Sequence, residues 1–102
     1  MKEYNKLVRD FIPEIIKADG KKCDISRATS DDLLRLLEEK MLEEFNEYLE
    51  DNNLEELADM MEVIFGLAHQ LGYSEEQLLA KRNQKLKERG GFKEGIVLEK
   101  VY

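Results

Sequence analysis

The chain has 102 residues, 42% of them hydrophobic, with 16 basic against 23 acidic side chains and a net charge of −7. That length is enough for one compact domain spanning 1–102 with a modest core, and helices of this size often complete their core by pairing between subunits. The acidic balance, with no long basic run, argues against a nucleic-acid polymer as partner. Charged residues also break every apolar stretch well short of the roughly 18 to 20 residues that a bilayer span requires.

In chain order, the first predicted element is a short helix over 13–19, with Pro13 in its first turn and Gly20 as its stop. Residues 22–28 read as extended. Cys23, the single cysteine, excludes an internal disulfide, and no export signal is recognisable at the amino end, so a cytoplasmic location is expected. A long second helix is expected from Thr29 or Ser30 to about residue 50. A hydroxyl caps it, Asp31 and Asp32 meet its positive end, and Leu34, Leu37, Met41, Leu42, Phe45, Tyr48 and Leu49 keep helical spacing.

The cluster Asp51-Asn52-Asn53 interrupts that pattern, and Asn53 with Glu56 has the form of a capping box opening a third helix over 54–71. Leu57, Met60, Met61, Ile64, Leu67, Ala68 and Leu71 are its expected buried stripe. Gly72 ends it, and Ser74 with Gln77 caps a fourth helix reaching about residue 88, which Gly90-Gly91 then stops. The tail, 95–102, alternates in the manner of a short strand and is expected to pair with 22–28. The expected fold is therefore mainly α, an antiparallel helical bundle with a small two-stranded β element.

Two acidic pairs carry the chemistry. Glu44 and Glu47 are three residues apart on the second helix, and Glu56 and Asp59 repeat the spacing on the third, so each pair points to one side of its helix. On a helical projection Glu44 and Glu47 border the stripe of Leu37 and Met41, whereas Glu43 and Glu50 fall on the wet side. Glu56 and Asp59 share an edge with Met60 and Val63. A tight turn between antiparallel helices can bring all four carboxylates together, where their repulsion demands a cation. Hard oxygen donors in an incomplete cage suit Mg²⁺, which keeps waters and takes phosphate oxygens as further ligands. The alternatives are a solvated acidic face and, for Glu56, simple capping. On the fourth helix Arg82, Lys85 and Arg89 project near the Leu78 direction, either as snorkelling stems or as a clamp for phosphate. His69, near the end of the third helix, suits the negative end of its dipole.

Three motifs occur in order: K-L-V-R-D-x-I-P-E-I-I from Lys6 to Ile16, with Phe11 where lysine is frequent; E-E-x-x-E at Glu43 to Glu47 followed by E-E-L-A-D at Glu55 to Asp59; and R-x-x-K-x-x-x-R-G-G-F from Arg82 to Phe92. With these motifs the chain resembles the all-α nucleoside triphosphate pyrophosphohydrolases, the MazG-like superfamily, and within it the short house-cleaning branch. The resemblance implies Mg²⁺ held by Glu44, Glu47, Glu56 and Asp59, and release of nucleoside monophosphate and pyrophosphate from a nucleotide substrate. It implies phosphate contacts from Arg82, Lys85 and Arg89, and a site wall from Lys6, Arg9 and Asp10. Glu47 is the chosen general base, activating a water for in-line attack. A homo-oligomer, dimer or tetramer, is expected from apolar residues such as Leu33, Leu36, Val63 and Phe65 outside the narrowest core stripe. The rival readings are phosphoribosyl-ATP hydrolysis in histidine synthesis and a catalytically silent helical binding module, against which the intact acidic quartet argues.

Overall fold

The computed structural model describes residues 5–102. Four helices follow one another: α1 (Ile12–Ala18), α2 (Ser30–Asp51), α3 (Leu54–Gln70) and α4 (Glu75–Arg89). Among the described residues no strand forms. The expected pairing of 22–28 with 95–102 is absent: both segments lie in irregular chain, and Ile96, Val97, Leu98 and Val101 are each more than three-quarters exposed. Alternation supplies a face for a sheet only where another element covers it, and within one chain nothing covers this one.

Each helix boundary has a local cause. Thr29 accepts a hydrogen bond from the Asp32 amide at the start of α2. Asn52 then takes a left-handed conformation at φ 47°, which asparagine tolerates better than most residues, and its side chain donates to the Tyr48 carbonyl. Asn53 immediately accepts from the Glu56 amide and opens α3. Two adjacent asparagines thus end one helix and begin the next, folding α2 and α3 into a tight antiparallel hairpin. At the far end of α3 the Tyr73 amide reaches the Ala68 carbonyl and the Gly72 amide reaches the His69 carbonyl, a Schellman closure that needs the positive φ of Gly72. Ser74 and Gln77 complete the reciprocal capping box of α4.

Helix α3 packs against α2 along its length and against α4 at its end; α1 packs against none of them. The helices approach closely at Gly66, where an added Cβ would stand 3.0 Å from Leu37 Cδ2. Leu37, Val63 and Ala68 are the buried apolar residues. This corrects the expected stripe on α3: Leu57, Met61, Ile64 and Leu71 are 40% or more exposed, and Val63, expected outside the core, lies within it. The α3 face turned to α2 is therefore the edge that carries Glu56 and Asp59.

The helices make an open array rather than a closed bundle. The radius of gyration is 17.8 Å and the extents are 61 × 32 × 23 Å, against about 13 Å for a compact domain of this length. No described helix is long and apolar enough to cross a membrane.

Candidate metal centre

Hairpin geometry does what the spacing of the acids requires. Glu44, Glu56 and Asp59 each offer a carboxylate oxygen to one cluster in which all ligand atoms lie within 4.8 Å, and Glu43, Glu44 and Glu47 form a second cluster of the same kind. Glu44 belongs to both. Glu47 lies near enough to Glu56 to repel it, and Asp59 and Glu44 act on Glu56 in the same sense. The quartet drawn from two helices is thus one constellation.

Its centre is shielded from water. Glu44 is 6% exposed, and its Oε2, like Glu56 Oε2, is buried without a hydrogen-bond partner. Buried carboxylate oxygens normally find donors, because an unpaired one forfeits its hydration. Glu56 supplies no return bond to the Asn53 amide, unlike Gln77 in the box of α4, so its carboxylate is turned to the cluster instead of being spent on a cap.

The electrostatics follow from this crowding. Burial raises the pKa of Glu44, repulsion from Glu47 and Asp59 adds to it, and the Lys40 ammonium opposes it. Glu56 is likewise raised, by shielding and by Glu47, Asp59 and Glu44. Burial also acts on Glu43, but Lys40 and Lys6 outweigh it and hold that carboxyl below its ordinary value. Several hard, anionic oxygens without donors on two rigid helices fit a small divalent ion such as Mg²⁺.

Cations rim the cluster. Arg9 Nη1 lies 3.2 Å from Asp59 Oδ1 and its Nη2 lies 3.8 Å from Glu62. Lys6 Nζ is 3.4 Å from Glu43 Oε1. Lys40 Nζ bridges Glu43 and Glu44 at 3.3 and 3.4 Å. Two of these residues belong to the amino-terminal motif, whose Asp10 is exposed. Arg82, Lys85 and Arg89 are also exposed, on a helix that touches only α3, and among the described residues they pair with no acid; Arg82 donates to its neighbour Asn83 at 3.0 Å. One chain therefore brings the quartet together with Lys6 and Arg9, and leaves the α4 cations apart.

Glu43 is not on the wet side that helical projection gives it but half-buried between two lysines, and Lys40 is a participant that projection alone does not pick out, although a lysine three and four residues before two glutamates is a recognisable helical pairing signal. His69 is exposed, and Cys23, half-buried, lies with its Sγ 4.0 Å from the Pro13 carbonyl.

Searches of protein-family models, curated proteins and solved structures find nothing that matches the chain.

Proposed function

We propose that the protein is a Mg²⁺-dependent nucleoside triphosphate pyrophosphohydrolase that cleaves between the α- and β-phosphates, in the house-cleaning manner of the MazG-like enzymes that its three motifs resemble. The observation that carries this reading is the pair of shielded carboxylate oxygens, Glu44 Oε2 and Glu56 Oε2, which converge without donors beside Glu47 and Asp59.

Glu44, Glu47, Glu56 and Asp59 would hold the metal, which when bound would supply Lewis-acid polarisation of the phosphoryl oxygens and make water easier to deprotonate. Glu47 takes the proton of the attacking water on its carboxylate, a role that its place at the edge of the quartet, outside the group of Glu44, Glu56 and Asp59, suits. Lys6 and Arg9 exchange their exposed ion pairs for phosphate oxygens. Arg82, Lys85 and Arg89 meet phosphate in the assembled oligomer.

Assembly is part of the reading. The chain exposes 9633 Å², whereas a compact monomer of this mass exposes about 6,000 Å². The excess per chain is larger than the roughly 1,000–2,500 Å² that each partner contributes to an obligate interface, and so leaves room for one. Leu42, Phe45 and Leu49 on α2, and Leu57, Met61 and Ile64 on α3, keep helical spacing on exposed faces that a second copy would bury. The lone thiol of Cys23 suits a reducing cytoplasm.

The test is a panel of normal and damaged nucleoside triphosphates incubated with Mg²⁺. Equimolar monophosphate and pyrophosphate is the expected product pair; no turnover across the panel would refute the reading.

A further inference from the structure

The two acidic clusters differ in one respect. The cluster of Glu43, Glu44 and Glu47 already has a cation built into it: Lys40 Nζ lies between Glu43 Oε1 and Glu44 Oε1, its side chain is 16% exposed, and it arises from the same helix at i,i+3 and i,i+4 spacing. Lys40 lines a cleft of about 50 Å³ together with Leu7 and Leu36. Lys40 touches the cluster of Glu44, Glu56 and Asp59 only at its shared member, through Glu44 Oε1, and the Arg9 side chain, 57% exposed, reaches it at Asp59; among the described residues no cation meets Glu44 Oε2 or Glu56 Oε2. Exposed ion pairs of the Arg9 kind are weak and yield readily, whereas a shielded ammonium held by two carboxylates does not.

We propose that Lys40 is a resident cation that fills the place of a second metal ion, so that each chain takes a single divalent ion, held where Glu44, Glu56 and Asp59 converge beside Glu47. A divalent ion at Glu43 and Glu44 would stand against a fixed positive charge in a poorly hydrated setting, where repulsion is little screened. Glu43 is accordingly a partner of lysines and not a metal ligand. This inference rests on the metal reading given above and goes beyond it in stoichiometry and in the part given to Lys40.

The test counts ions directly, using Mn²⁺ as a paramagnetic probe titrated into the full chain and followed by electron paramagnetic resonance, with no nucleotide present. Wild type is expected to bind one Mn²⁺ per chain. Lys40→Met is expected to bind two, since the carboxylates are kept and the ammonium is removed. Glu43→Gln is expected to keep the wild-type stoichiometry and an affinity within about twofold, and this variant stands as a second test should Lys40→Met fail to fold. Two ions on wild type would overturn the inference and leave the metal reading intact, as would one ion on a folded Lys40→Met protein. A tenfold loss of affinity in Glu43→Gln would also overturn it, by making Glu43 a ligand. No binding to wild type would remove the metal reading itself.

Discussion

Glu44 on α2 and Glu56 on α3 face each other across the hairpin, each with its Oε2 buried and without a donor. Such a pair opposes folding when both groups are ionised and no cation intervenes. For both, the folded pKa lies above the unfolded one, so the native state binds protons more readily. The penalty is absent below the ordinary carboxylate range and grows as pH rises through the raised values. Thermal melts of the metal-free protein should therefore show stability lost between mildly acidic and neutral pH, with Glu43, shifted downward, opposing part of the trend. Glu44→Gln should melt higher than wild type at neutral pH without metal, and Mg²⁺ should stabilise wild type more than the variant. A variant that melts lower and responds equally to Mg²⁺ would contradict this.

Gly66 on α3 lies close against α2, and Leu37, against which its added Cβ would press, is 8% exposed. Gly66→Ala gains about 0.5–1 kcal/mol in helix preference but meets an overpacking cost of about 1–3 kcal/mol. A net loss of about 1 kcal/mol is expected, read as a fall in melting temperature of roughly 4–8 °C. An unchanged or raised melting temperature would show that Leu37 can give way.

How much of this was legible in the sequence follows from which signals were local. The caps at Thr29, Asn53 and Ser74 are bonds between residues three apart, and all three appear as read. The acidic quartet was legible because i,i+3 spacing on two helices joined by a tight turn leaves little freedom in where the carboxylates go. The rotation of α3 was not. Its apolar residues occupy more than one face, and composition alone does not say which face meets α2 and which meets another copy; Val63 won the inner position, and Met61 and Ile64 were left outside. The strand over 95–102 failed for the same reason, since its alternation specifies a surface to be covered without specifying what covers it.

Those exposed stripes lead to a hydrodynamic expectation. Sedimentation velocity at micromolar concentration should show a dimer or larger species, and Leu42→Glu with Met61→Glu should shift it toward monomer while far-ultraviolet circular dichroism keeps its helical form. A wild-type species of 12.0 kDa only would remove the oligomer from the account.

On α4, Lys85 is exposed and pairs with no acid among the described residues. If it meets phosphate, Lys85→Ala should weaken a nonhydrolysable triphosphate by about three- to tenfold, the range for one charge-assisted contact at an open site, and leave the matching nucleoside unchanged. Added salt should imitate part of the loss. Calorimetric titration of both ligands into both proteins with Mg²⁺ decides it; equal triphosphate affinities would leave Arg82 and Arg89 as the candidates on this helix.

The most direct test of the proposed chemistry is product analysis on wild type, Glu47→Gln and Asp59→Asn with a triphosphate that the wild type accepts. Both variants remove one charge from a mutually repelling group and, without metal, should retain the helical spectrum and melt no lower than wild type. Wild type with Mg²⁺ should release nucleoside monophosphate and pyrophosphate in equal amounts and should stop when the metal is chelated. Each variant should be slower by at least about a hundredfold, more than the loss of a supporting contact around a metal causes. Undiminished monophosphate and pyrophosphate release by both folded variants would contradict the assignment of the quartet, and release of diphosphate and orthophosphate by wild type would contradict cleavage between the α- and β-phosphates.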